Sequence, residues 1–128
     1  MKNLLLDTHA FIWLTEDDEN LPKSLKEIIE KADNVYVSIV SLWEIAIKLN
    51  IGKISLKKDY SIIGKEIQNS DIILLPISFQ DTLTIFNLPL YHRDPFDRML
   101  IAQAMNNSFI LVSKDEAFNM YSITKLWE

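Results

Sequence analysis

Apolar residues along the chain fall into two kinds of segment: short compact runs, and longer stretches in which they recur every three or four positions. The compact runs predict strands at Asn3–Leu6 (NLLL), Asn34–Val40 (NVYVSIV), Asp71–Ser78 (DIILLPIS, with Pro76 marking its end) and Ser108–Ser113 (SFILVS). A last edge strand is expected in ITKLW, residues 123–127. The periodic stretches predict helices. A short one lies in AFIWL, and a second runs over Leu21–Ala32, with Leu25, Ile28, Ile29 and Ala32 on one face and Pro22 near its start. SLWEIAIKLNIG forms a third helix, closed by Gly52 with Asn50 as a further stop signal. SIIGKEIQNS is a helix weakened by Gly64, Phe79–Pro89 one ended by its proline, and KDEAFNMY a short one. Strand and helix alternate from end to end, so the expected class is α/β with a mainly parallel sheet, built as one domain over residues 1–128.

The segment HRDPFDRMLIAQA, residues 92–104, supplies one more helix and places more charge at its start than a helix needs. Asp94 is a good N-cap, Pro95 suits the first helical position, and Asp97 falls where the helix dipole favours negative charge. Three other acids also stand at, or shortly after, a place where a strand or loop hands over to a helix. Asp7 follows the first strand and can cap the next helix, and Glu44 lies three residues after Ser41 in a capping-box pattern. Asp115 follows the fourth strand as a turn residue, where Ser113 and Glu116 could form another capping box. Helix punctuation explains each acid singly. It does not explain why all four fall at junctions that share one edge of a parallel sheet, the edge where such sheets bind ligands.

Carboxylates gathered there repel one another unless a cation neutralises them, and hard oxygen donors suit Mg²⁺ or Mn²⁺. A divalent ion so placed supports phosphoryl chemistry with an activated water. Thr8 and Ser113 are placed to hydrogen-bond the carboxylates or a phosphate, although local turn bonding is the commoner use of such residues. The absence of cysteine excludes thiolate catalysis and cysteine-ligated metals and fits a cytoplasmic protein. A net charge of −5 argues against a protein that grips nucleic acid by bulk charge, so any such activity needs a local basic patch or metal ions. Apolar runs stop well short of the ~20 residues of a membrane helix, so no membrane association is expected. The apolar run at the start is broken at once by Asp7 and His9, which fits a strand better than a signal peptide.

LLLDTHAFIWL, SLWEIAIK, HRDPFDRMLIAQA and LVSKDEAF, in this order over nearly the whole chain, resemble the PIN-domain ribonucleases, and among them VapC-type toxins of toxin–antitoxin pairs. The resemblance implies a three-layer α/β/α fold and a metal-dependent endoribonuclease that cuts single-stranded or loop RNA to a 5′-phosphate and a 3′-hydroxyl. It places the family's acidic quartet on Asp7, Glu44, Asp97 and Asp115, and its small polar residue before the last acid on Ser113. It further implies a homodimer silenced by a cognate antitoxin that often binds operator DNA.

Asp94 offers a second carboxylate in the third motif, with capping as its favoured role. Arg93 and Arg98 either balance the acids or meet phosphate, while Lys48, Lys53, Lys57 and Lys58 form a basic segment that solvation alone explains. His9 and His92 lack zinc spacing, and of the two His92 is better placed to touch RNA at the rim. Trp13, Trp43 and Trp127 sit in apolar patterns as core or dimer-face residues. Two other readings compete. An aspartyl-phosphate phosphatase is disfavoured because His9 stands where that chemistry commonly has a second Asp. A non-catalytic PIN-like module binding RNA or protein would have no need of all four acids.

Overall fold

The computed structural model describes residues 2–127. Five strands form one sheet: β1 (Asn3–Leu6), β2 (Asn34–Ser38), β3 (Ile72–Leu75), β4 (Ile110–Val112) and β5 (Thr124–Leu126). Their order is β3-β2-β1-β4-β5 and every pairing is parallel. The helices are α1 (Thr8–Thr15), α2 (Lys23–Lys31), α3 (Ile39–Asn50), α4 (Ile63–Gln68), α5 (Phe79–Phe86) and α6 (Pro95–Asn107), with 3₁₀ turns at Tyr60–Ile62 and Glu116–Met120. No helix among the described residues is long and apolar enough to cross a membrane.

Strand β1 lies in the middle of the sheet, and Leu4, Leu5 and Leu6 are wholly buried because both faces are covered. The two-residue repeat divides the core. Leu4, Leu6, Val35, Val37 and Val112 pack with Phe11, Leu25, Ile29, Ile45 and Ile67 of the helices on one side. Leu5 and Leu111 face the other way, against Leu100, Ile101 and Ala104 of α6 and Phe118. This is the three-layer α/β/α arrangement.

Element boundaries differ from the sequence reading where a side chain or a special backbone angle decides them. The strand expected to reach Val40 stops at Ser38, whose hydroxyl accepts from the Val40 amide and so starts α3 two residues early. The fourth strand begins at Ile110, since Ser108 takes a left-handed conformation (φ 56°) that closes α6 and cannot continue a strand. Helix α5 ends at Phe86, three residues before its proline, and Ile72–Leu75 ends before Pro76. KDEAFNMY gives only a 3₁₀ turn, capped by Asp115. Gly52 terminates α3 as expected and has φ 72°, a value glycine takes without steric cost.

One buried polar network ties the second helical layer together. Asp81 completes a capping box with Ser78 and accepts from Asn106 Nδ2 at 2.9 Å and Gln103 Nε2 at 3.4 Å. Gln103 is fully buried and also donates to the Pro76 carbonyl. Asp81→Ala removes the acidic half of the capping box and the acceptor shared by buried Gln103 and exposed Asn106, so urea denaturation should show a loss of about 1–2 kcal/mol.

Candidate metal centre

All four acids singled out from the sequence lie toward the carboxyl edge of the sheet. The chain leaves β1 into Asp7, β4 into Ser113 and Asp115, and β2 into α3 with Glu44, while Asp97 sits in the first turn of α6. Asp7 and Glu44 are buried, Asp97 is partly covered and Asp115 is half-exposed.

Capping and clustering are both present. Asp7 accepts from the Ala10 amide at 2.8 Å, Asp94 from the Asp97 amide at 2.9 Å, and Asp115 from the Ala117 amide at 2.9 Å. The two capping boxes suggested by spacing do not form. Ser41 lies inside α3 with its Oγ 3.0 Å from Thr8 Oγ1, and Ser113 accepts from the Asp115 amide. Glu44 has both oxygens engaged: Thr8 donates to Oε1 at 2.6 Å and Lys48 Nζ to Oε2 at 2.5 Å.

The donor atoms brought closest are those of His92, Asp97 and Asp115, all within 4.8 Å of one another. His92 Nε2 lies 2.8 Å from Asp97 Oδ2 and 3.8 Å from Asp115 Oδ2. The shorter contact is off the N–H direction, so buried Nε2 has no well-aligned hydrogen-bond partner. Its ring meets Phe118 edge-on at 5.7 Å, and Nδ1 lies 3.5 Å from the Asp94 amide.

Electrostatics couples the wider set. Burial pushes Asp97 up to about 7, helped by Asp94, Glu44 and Asp7 and opposed by His92. Burial also raises Asp7, against the Ser113 hydroxyl and the Ala10 amide, with the Asp115 charge adding to the rise. Lys48 is held above its ordinary value, first by its bond to Glu44, with Asp94 and Asp97 contributing.

The remaining candidates divide. Arg98 spends its guanidinium on the carbonyls of Leu88, Pro89 and His92, so it anchors a loop in place of balancing an acid. Arg93 is exposed, without a carboxylate partner among the described residues. The basic segment is not a free patch, because Lys48 pairs with Glu44, Lys58 pairs with Glu66, and Lys57 bonds Glu16. His9 is not one of the three donors, its ring standing 5.6 Å from that of Trp13, although it is close enough to Asp7 to oppose the rise of that acid. Trp13 and Trp127 pack on the core edge, whereas Trp43 is 58% exposed and is not a core residue. Sequence reasoning missed the Lys48–Glu44 pair, although its i,i+4 spacing was visible, and it missed Tyr121, which no local pattern marks.

The chain matches the PIN domain family over residues 4–123. It belongs to that family. This PIN domain is 27% identical over 116 residues to Ribonuclease VapC22 of Mycobacterium tuberculosis (strain ATCC 25618 / H37Rv), covering 90% of the present chain and 88% of the relative. Among solved structures it is similar to VapBC2 from Rickettsia felis bound to a DNA fragment from their promoter, with TM-score 0.74, 16% identity, and coverage of 98% of this chain and 99% of that one. It is also similar to FitAcB from Neisseria gonorrhoeae, with TM-score 0.65, 16% identity and 96% of each chain covered. At these identities the structural likeness establishes the fold, in agreement with the five parallel strands.

The raised acids set a pH dependence for this PIN domain. Between its ordinary value of 3.8 and about 7, folded Asp97 keeps a proton that the unfolded chain has lost. Stability in the presence of EDTA should therefore fall as pH rises through that window. Thermal melts from pH 4 to 8 should show this fall, and Asp97→Asn should flatten it and melt higher than wild type at pH 8.

Proposed function

We propose that this PIN domain is a Mg²⁺- or Mn²⁺-dependent endoribonuclease, the toxin of a VapBC-type toxin–antitoxin pair, which hydrolyses single-stranded or loop RNA to a 5′-phosphate and a 3′-hydroxyl. The observation that carries this reading is the convergence of Asp97, Asp115 and His92 within 4.8 Å, with buried Asp7 and Glu44 at the same sheet edge. Two acids raised above the ordinary carboxylate range, with oxygen-rich surroundings, fit a hard divalent cation.

Asp7, Glu44, Asp97 and Asp115 would hold that ion. When bound, it activates water and offsets charge building on the phosphate oxygens. The chain's own groups prepare the site. Thr8 fixes Glu44, the Ser113 hydroxyl favours the ionised form of Asp7, and Asp94 holds the first turn that carries Asp97. Arg93, next to His92 in the chain, exposed and without a carboxylate partner among the described residues, is the guanidinium best suited to meet a phosphate of the RNA. The Lys48–Glu44 pair favours a second reading, a non-catalytic PIN-like module in which the acids are structural.

Partners follow from relatives and from surface. The similar proteins include a ribonuclease named VapC22 and a VapBC2 assembly on promoter DNA, which supports a cognate antitoxin. Ile39, Trp43 and Ile47 of α3 and Ile51 at its C-cap recur every four residues and are all exposed, which supports a homodimer through that face.

Purified wild type should cleave a mixed RNA panel with Mn²⁺ and not with EDTA, while folded Asp97→Asn should lose at least 100-fold of the activity, on the order of the ~3 kcal/mol that one transition-state contact supplies. Equal cleavage by both proteins would remove Asp97 from the site. No cleavage by folded wild type, together with retained RNA or protein binding, would favour the non-catalytic module. Light scattering on wild type and Ile47→Asp should give a dimer and a monomer respectively.

A further inference from the structure

The loop before α6 carries His92, and its conformation is decided by a residue distant in sequence. The Tyr121 hydroxyl accepts from the amides of Tyr91 at 3.0 Å and His92 at 2.9 Å, and donates to the Pro89 carbonyl at 2.7 Å. A phenol offers one proton and two lone pairs, so these three bonds use it fully, and Arg98 Nη1 adds a longer contact to the same oxygen at 3.5 Å. Arg98 closes the same loop from beneath, with Nη1 3.1 Å from the carbonyls of Pro89 and His92 and Nη2 3.2 Å from that of Leu88. The Tyr121 ring is buried and also packs on Tyr91 at 5.3 Å.

Surface loops are ordinarily among the more mobile parts of a fold. Here the bonds end at the residue whose imidazole completes the three-donor cluster with Asp97 and Asp115. The core itself does not explain the expenditure, because Leu90 and Tyr91 in the same loop are exposed.

We propose that Tyr121, together with Arg98, is a positioning residue that sets His92 Nε2 against Asp97 and Asp115 and thereby governs how strongly this site takes a divalent cation. The inference rests on the metal-dependent reading above. Groups that orient a metal site from outside typically alter affinity by about 10–100-fold when removed. Tyr121 and Arg98 spend their polar atoms on the main chain of residues 88–92, so both act through the loop that carries His92.

The test is a double-mutant cycle on Mn²⁺ affinity, read as free Mn²⁺ by electron paramagnetic resonance, for wild type, Tyr121→Phe, His92→Gln and the double variant. Tyr121→Phe should bind Mn²⁺ about tenfold more weakly, His92→Gln similarly, and the double variant no more weakly than His92→Gln. Mg²⁺ should move the imidazole ¹⁵N resonances of His92 in wild type and fail to move them in Tyr121→Phe. Circular dichroism checks that each protein is folded. If Tyr121→Phe does not fold, Arg98→Lys replaces it in the same cycle. Unchanged affinity in a folded clamp variant, or losses that add in the double variant, would overturn the inference while leaving the metal site intact. A folded wild type that binds no Mn²⁺ would overturn the inference and the metal-dependent reading together.

Discussion

Mutual repulsion among carboxylates is the constraint around which this fold is organised. A parallel sheet delivers every strand end to one edge, and this chain gathers four acids toward it: Asp7 and Asp115 shortly after strands, Glu44 and Asp97 on helices. Burial makes the repulsion more costly, because a drier surrounding screens charge less. The chain answers with three local devices: hydroxyl and amide donors on Asp7 and Glu44, an ammonium on Glu44, and a proton retained by Asp97. Each reduces charge density without removing an acid. That restraint is hard to reconcile with stability as the sole aim, since neutral residues of similar size would pack there with less conflict.

Capping and chemistry need not compete for the same carboxylate. Each carboxylate has two oxygens, and the helix amide needs only one. Asp115 shows the division clearly: Oδ1 accepts from the Ala117 amide while Oδ2 is the oxygen within 3.8 Å of His92. Capping also fixes the side-chain rotamer, so the same bond that starts the helix aims the second oxygen. Asp94 does this by proxy, holding the turn on which Asp97 stands.

The alternation of compact and periodic segments made the class of fold readable, because strand and helix repeats differ and the buried central strand tolerates only apolar residues. Placement of the acids at strand ends was readable for the same reason. Boundaries at Ser38 and Ser108 were not, since each depends on one backbone angle or cap that propensity does not encode. Nor was the role of Arg98, whose neighbours in sequence are acids but whose guanidinium finds carbonyls. Long-range partners such as Tyr121 and the 89–92 loop, some thirty residues apart, leave no trace in any local window. Trp43 was misleading in part: an apolar pattern marks a buried face without saying whether the chain itself buries it.

The ion pair between Lys48 and Glu44 gives the sheet edge a cation of its own. With an internal counter-ion one helical turn away, the acid nearest the centre of α3 is neutralised as soon as that helix forms. Glu44 thereby needs no external ion to offset its charge in the folded chain, in contrast to small metal-nucleated domains that collapse only on loading. A cation taken up through Glu44 would have to displace an ammonium group on a flexible stem.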